Sequence, residues 1–91
     1  RSYEIINKKV VYNMETYENK IKGYLLGATL SEDWQETKND IITCFDETME
    51  EVIVERVRSF DDIEVLEAHE NKPDGVCVEI YVQDNKVIKV I

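Results

Sequence analysis

The fold is decided by the stretch Val76–Ile91, which reads VCVEIYVQDNKVIKVI. In its first seven residues valine and isoleucine alternate with other side chains, so the apolar residues fall on one face, as in a β-strand. Asp84-Asn85 then predicts a tight turn into a last strand over Lys86–Ile91. The chain is therefore predicted to end in an antiparallel hairpin.

The segment before this hairpin predicts another strand and a turn. Asn71-Lys72-Pro73-Asp74-Gly75 is typical of a turn, because proline fixes φ and Gly75 tolerates a positive φ. The apolar and β-branched residues upstream predict a strand over Ile63–Ala68. The last three strands thus follow one another with short connections.

The middle of the chain predicts one long amphipathic helix. Ser31 is a favourable N-cap, and acids follow it in the first turn, where the helix dipole favours them. From Trp34 to Val57 the apolar residues recur at spacings of three or four, so the helix is predicted to continue to about Ser59. The alternative is a break near Glu50 followed by a strand, because Val-Ile-Val is β-prone. The unbroken spacing favours one helix over a strand at Val52–Arg58.

The beginning of the chain predicts two further strands. Residues 9–15 alternate, Tyr17-Glu18-Asn19-Lys20 indicates a turn, and Ile21–Ala28 is predicted to be a second strand weakened by two glycines. Residues 1–91 are therefore expected to form one domain of the α+β class. It has two layers, an antiparallel sheet of about five strands on one helix, in the order β-β-α-β-β-β.

The last strand carries apolar residues on both of its faces, whereas one helix covers only one side of a sheet. A second copy of the chain would cover the other side, which predicts a homodimer. No apolar stretch is long enough to span a membrane. Cys44 and Cys77 are too few for a disulfide framework and are expected to be reduced, which indicates a cytoplasmic protein.

The charge is strongly acidic and unevenly distributed. The net charge is −9, and residues 31–70 hold fourteen acids against three bases, which is −11 for that segment. The balance is +2 for residues 1–30 and 0 for residues 71–91. An acidic protein of this kind is not expected to bind nucleic acid directly or to bind an anionic membrane.

On the predicted helix the acids lie opposite the apolar stripe. Carboxylates four residues apart, such as Glu36 and Asp40 or Glu47 and Glu51, would lie about 6 Å apart along the axis, a spacing that could imitate the phosphates of a nucleic acid. A solvated polar face is the simpler interpretation. The residues predicted to bind a basic partner protein are Asp33, Glu36, Asp40, Glu47, Glu50 and Glu51.

No motif indicates catalysis, a metal or a cofactor. His69 is the only histidine, and nothing but its proximity supports a Cys–His pair with Cys77 across the hairpin. Metal-ligand spacings of the Cys-x-x-Cys or calcium-loop kind are absent. The glycine pair Gly23 and Gly27 matches neither phosphate-binding fingerprint. The sequence therefore predicts no catalytic residues, no metal site and no cofactor.

The composition is similar to that of small acidic inhibitors, immunity proteins and anti-defence proteins, without a shared motif. The first hypothesis is a non-enzymatic inhibitor or regulator whose acidic helix mimics nucleic acid and binds a basic partner, such as a nuclease or another nucleic-acid-binding protein. The alternative is an assembly subunit that oligomerises through the spare apolar face of the sheet. A small enzyme or ligand-binding domain is the third hypothesis, and no motif favours it.

Overall fold

The structure, a computed structural model, describes residues 17–45 and 51–91. The class is α+β, as predicted, but the order is α-α-β-β-β-β and not β-β-α-β-β-β. Helix α1 covers residues 17–25 of the described part, and α2 is Trp34–Thr43. The strands are β1 (Val52–Phe60), β2 (Ile63–Glu70), β3 (Cys77–Gln83) and β4 (Lys86–Val90). They form one antiparallel sheet in the order β1-β2-β3-β4.

The segment 17–28, predicted to be a turn and a strand, contains α1 instead. Ile21 and Leu25 are both buried and stand one helical turn apart, while Tyr17 packs against the core one turn earlier. Glu18 and Lys22, also four residues apart, form an ion pair of 3.7 Å on the same helix. These spacings of four are the helical signal that the two glycines obscured. The predicted strand at residues 9–15 lies outside the described residues.

After α1 the chain turns to run beside β4. Gly27 has φ +83°, a left-handed conformation that glycine adopts without strain. Its N–H donates to the carbonyl of Val87 at 2.9 Å, and the N–H of Val87 donates to Ala28 at the same distance. These bonds use part of the outer edge of β4, which an edge strand otherwise leaves open to pairing.

Helix α2 is shorter than predicted and begins two residues later. Asp33, not Ser31, is the N-cap, and its side chain accepts from the N–H groups of Gln35 and Glu36. The helix ends at Thr43 rather than near Ser59, and Val52–Phe60 is a strand. The alternative interpretation of this region was therefore the right one. β-Branched side chains pack well on a pleated sheet, and Val52 and Val54 alternate into the core.

The last three strands confirm the predictions for the end of the chain. Asp84 and Asn85 both have positive φ, as a type I′ hairpin turn requires. In the turn at residues 71–75 the positive φ belongs to Asp74, not to Gly75. A Cβ on Gly75 would lie 2.7 Å from the Cβ of Glu70, so glycine is needed there for a close approach.

Both helices contribute to one core against one face of the sheet. The cluster contains Ile21 and Leu25 from α1, Ile41 and Ile42 from α2, and the completely buried Phe45 that follows α2. The strands contribute alternate residues, which are Val52, Val54, Leu66, Ala68, Val78, Ile80, Val82 and Val87. The opposite side of the sheet is called the second face below. Within the described residues no helix packs on it, and the predicted homodimer stays a prediction.

Candidate functional site

The described acids that best fit the predicted binding face lie at the start of α2 and along it. We call Glu32, Asp33, Glu36 and Asp40 the acidic α2 surface. All four are exposed. Within residues 31–43 the only base is Lys38, whose Nζ lies 5.9 Å from the centre of the Trp34 ring. The acidic α2 surface therefore presents four carboxylates beside one ammonium group.

The loop before α2 fixes this surface. The Oδ1 atom of Asp33 accepts from Gln35 N at 2.8 Å and from Glu36 N at 3.2 Å. Ser31 Oγ accepts from Asp33 N at 3.0 Å and donates to Glu36 Oε2 at 2.6 Å. Thr37, which is buried, donates to the carbonyl of Ser31 at 2.8 Å. The cap and first turn of α2, which carry Asp33 and Glu36, are thus held by side-chain hydrogen bonds.

The structure brings together only part of the predicted partner-binding set. Asp33, Glu36 and Asp40 lie on α2 or at its cap, but Glu51 is an exposed residue directly before β1. Glu47 and Glu50 lie outside the described residues. The prediction of one helical row from Asp33 to Glu51 is wrong, because α2 ends at Thr43. Whether these acids bind a partner is still a prediction.

A second cluster lies on the second face of the sheet and was not predicted from the sequence. Arg58 donates to both carboxylate oxygens of Glu79, at 3.3 and 3.5 Å, and to the hydroxyl of Tyr81 at 2.9 Å. The Phe60 ring meets Tyr81 edge-on, with centroids 6.4 Å apart. Lys89 Nζ lies 5.4 Å from the centre of the Tyr81 ring. In this cluster the charges of Arg58 and Glu79 are therefore paired with each other.

This cluster shields a buried residue. Val65 faces Arg58 on one neighbouring strand and Tyr81 on the other, and its exposed fraction is 0%. The hydrogen bond between Arg58 and Tyr81 spans the strand that carries Val65, so both side chains lie beside it. The described part of the second face therefore carries charged side chains beside apolar ones, and the assembly hypothesis stays a prediction. Phe60 and Ile91 are its most exposed large apolar residues, together with Ile88 at the bulge of β4.

His69 and Cys77 are direct cross-strand partners, as their positions in the sequence suggested. His69 Nδ1 lies 3.3 Å from Glu67 Oε1. Burial, followed by the charge of Glu67 and a hydrogen bond with it, raises the pKa of the Cys77 thiol. A catalytic cysteine needs the opposite shift, because the thiolate is the nucleophile. The direction of this shift does not favour Cys77 as a nucleophile.

The described residues offer two cavities that bear on function. One of about 540 Å³ lies between α1 and the end of α2, lined by Tyr17, Lys20, Tyr24, Thr43 and Cys44. The other, of about 250 Å³, lies beside Trp34 at the start of α2. Both cysteines are free thiols. Over residues 17–45 and 51–91, no three His, Cys, Asp or Glu side chains are grouped as a metal ion would require.

Comparison with known proteins identifies the family. The family model described as translationally controlled tumour protein (TCTP) matches residues 4–91. The chain belongs to the TCTP family. No curated protein and no solved structure matches it. TCTP members are non-enzymatic regulatory binding proteins, which agrees with the absence of a catalytic motif from the sequence. In the part of this TCTP-family chain that the structure describes, no helix is both long enough and apolar enough to cross a membrane.

Sequence reasoning missed the contacts that join distant strands. Arg56 and Arg58 stand two residues apart, yet Arg56 stacks on Trp34 at 4.2 Å while Arg58 pairs with Glu79 on the second face. A register shift between them explains the difference, because one extra residue in β1 turns the following side chains to the other face. Nothing in the local sequence marks this shift.

Proposed function

We propose that this TCTP-family chain binds a basic segment of a partner protein through the acidic α2 surface. The observation that carries the proposal is the exposure of four carboxylates, two just before α2 and two on it, with one lysine among them. Such a surface attracts basic partners over distance and speeds their association. The partner is described by its chemistry alone, as a protein that presents lysine or arginine side chains.

Mimicry of nucleic acid is not part of this proposal. That idea required a long row of evenly spaced carboxylates on one helix. The ten residues of α2 carry only Glu36 and Asp40, and Glu51 lies beyond the end of the helix. The family also gives no support to inhibition of a nuclease. A short acidic surface is better matched to a short basic peptide segment than to a groove that binds a nucleic-acid duplex.

The contrast with the second face favours α2 as the binding surface. On the second face Arg58 is held by Glu79 and Tyr81, so a charged partner would have to displace internal bonds. On α2, Asp33 is committed to the cap and Glu36 accepts from Ser31, while both remain exposed. Carboxylates at a helix surface can accept further hydrogen bonds, because each oxygen has two lone pairs.

Reversal of one charge on the acidic α2 surface, compared with reversal of one charge on β1, tests the proposal. The probe is an immobilised lysine-rich peptide, compared with a glutamine-rich peptide of the same length, at about 0.05 M and about 0.5 M salt to vary screening. We expect binding to the lysine peptide that falls with salt and is weakened by Asp40→Lys. The matched control is Glu55→Lys, which makes the same change in net charge at an exposed position on β1 and should bind almost as the parent does.

Two results would overturn the proposal. One is binding that does not fall with salt, because contacts between exposed charges are screened. The other is an equal loss of binding in Asp40→Lys and Glu55→Lys, which would show that net charge and not the acidic α2 surface determines binding. If neither result is found, basic proteins that the parent captures from a native lysate and Asp40→Lys does not capture are candidates for the partner.

A further inference from the structure

The smaller cavity lies against the acidic α2 surface. Its volume is about 250 Å³, and it lies between the start of α2 on one side and β1, β2 and β3 on the other. Trp34 and Thr37 line it from the helix, and Arg56 and Glu64 line it from the strands. Glu32 also lines it, so the cavity is continuous with the acidic α2 surface.

The size of the cavity restricts what can enter it. Pockets for drug-sized molecules and cofactors usually measure about 300–1,000 Å³, whereas one water takes about 30 Å³ of liquid volume. A cavity of about 250 Å³ is thus smaller than a usual cofactor site and larger than a site for a few waters. One long side chain of a partner protein fits this range.

The charge of the lining favours a cation. Glu32 and Glu64 contribute two carboxylates and Arg56 one guanidinium, so the lining carries one net negative charge. Arg56 Nε lies 3.5 Å from Glu64 Oε1, and this pairing leaves Glu32 for a ligand. Asp33 and Glu36, exposed nearby on the helix, add to the negative potential.

The wall of the cavity also favours a cation. The Trp34 ring already lies within cation–π distance of two of the chain's own cations, Arg56 at 4.2 Å and Lys38 at 5.9 Å. Indole is the most favourable of the aromatic side chains for this interaction. An aromatic wall beside a carboxylate is a combination that suits an arginine or lysine side chain and does not suit an anion.

We propose that this cavity receives the side chain of one arginine or lysine of the basic partner, between Glu32 and the Trp34 ring. This inference rests on the proposed function and adds the anchor point to it. Arg56 is an internal competitor of the partner's cation. Its own positive charge already contacts Glu64 and the Trp34 ring. Glu32 and Arg56 therefore affect a bound cation with opposite signs.

Trp34 provides a direct test, because it is the only tryptophan in the chain. Its fluorescence is followed while the blocked tripeptide acetyl-Gly-Arg-Gly-amide is added, and acetyl-Gly-Gln-Gly-amide serves as the uncharged control. We expect a saturable change with the arginine peptide alone. Glu32→Gln should weaken this binding by about three- to tenfold, the range for one charged contact at a partly exposed site. Glu55→Gln, on β1, should leave it unchanged.

Replacement of Arg56, the internal competitor, should strengthen binding of the arginine peptide instead of weakening it. Arg56→Gln removes the like charge from the cavity and should strengthen binding of the arginine peptide by about threefold, the scale of one exposed charge interaction. A structural defect would weaken binding instead, so a gain cannot be attributed to damage. Thermal melts of both variants show whether they fold, and Glu32 is exposed, so Glu32→Gln keeps the test open if Arg56→Gln is unstable.

The inference fails if the fluorescence change does not saturate, if the glutamine peptide gives the same change, or if Glu32→Gln binds as the parent does. These results differ from failure of the proposed function. Salt-sensitive binding of the lysine-rich peptide that depends on Asp40 would survive them, and only the anchoring cavity would be lost. Absence of both responses would overturn the two proposals together.

Discussion

The acidic α2 surface and the second face of the sheet both carry charge, but they use it differently. On the second face Arg58, Glu79 and Tyr81 bond to one another, and Arg58 and Tyr81 flank Val65. At the acidic α2 surface, Lys38 is the only base within residues 31–43, which hold four exposed acids. Charges that pair with one another can shield apolar surface, whereas charges that are left unpaired repel each other and attract a partner.

The difference follows from the kind of element that carries each surface. In a sheet, residues two strands apart come within reach because their partners stand in register, and Arg58, Val65 and Tyr81 form one such row. On a short helix the neighbours are fixed at three or four positions along the chain, where Glu36 and Asp40 place like charges. The sheet neutralises its charges across strands, and α2 has no base positioned to do the same for its acids except Lys38.

The largest expected effect tests whether Val65 is shielded. Val65→Ala removes two methyl groups from a fully buried site, so the free energy of unfolding should fall by about 2 kcal/mol, from lost burial and the cavity that remains. Urea denaturation followed by circular dichroism measures the change. The matched control is Val57→Ala on β1, where the valine is 39% exposed and the loss should stay below about 1 kcal/mol. Equal losses would mean that the second face shields nothing.

The strands of the second half could be predicted from the sequence, because alternation needs only local information. Val78, Ile80 and Val82 alternate into the core, and Asp84-Asn85 fixes the hairpin. Alternation did not show that β1 is a strand and not a continuation of α2. Val52, Ile53 and Val57 continue the helical spacing of three or four, and the register shift at Val57 interrupts the alternation that would have identified the strand. The β-branched Val-Ile-Val was the better signal.

The candidate surfaces were predictable in part. The exposure of Asp33, Glu36 and Asp40 follows from their place opposite the apolar stripe of a helix, and the sequence indicated that place. The stacking of Arg56 on Trp34, and so the cavity beside it, depends on how α2 crosses the sheet. Contacts of this kind join residues far apart in the chain, and no local pattern in the sequence specifies them.

A smaller effect on the free energy of unfolding distinguishes Asp33, which caps α2, from the adjacent Glu32. Asp33→Ala removes the cap that accepts from two backbone N–H groups, so the free energy of unfolding should fall by about 1 kcal/mol. Glu32→Ala removes the same charge at the adjacent exposed position and is the control, with a change within about 0.5 kcal/mol. Denaturation curves of the two variants at one pH measure both values. If Glu32→Ala were as harmful as Asp33→Ala, the capping bonds would not account for the role of Asp33.

The smallest effect has the opposite sign and bears directly on the binding proposal. Asp40 lies near the C-terminal end of α2, where the helix dipole disfavours an acid, and no base occupies the last turn. Asp40→Lys should therefore raise the free energy of unfolding by a few tenths of a kcal/mol, about the low end of the dipole effect. The same variant is expected to weaken binding of the lysine-rich peptide. Both results together would show that Asp40 contributes to binding and not to the stability of the fold.

The pKa of the Cys44 thiol provides an independent local measurement of the effect of Asp40→Lys. Its Sγ donates to the carbonyl of Asp40 at 3.4 Å, and burial, followed by the charge of Asp40, raises the pKa of its thiol. Asp40→Lys replaces the carboxylate with an ammonium group, so the pKa of Cys44 should fall. Alkylation of Cys44, followed by mass spectrometry as a function of pH, should then start at lower pH, while Cys77 reacts as before. An unchanged Cys44 profile would mean that the charge of Asp40 is fully screened at the helix surface, and the basis for attracting a partner there would be lost.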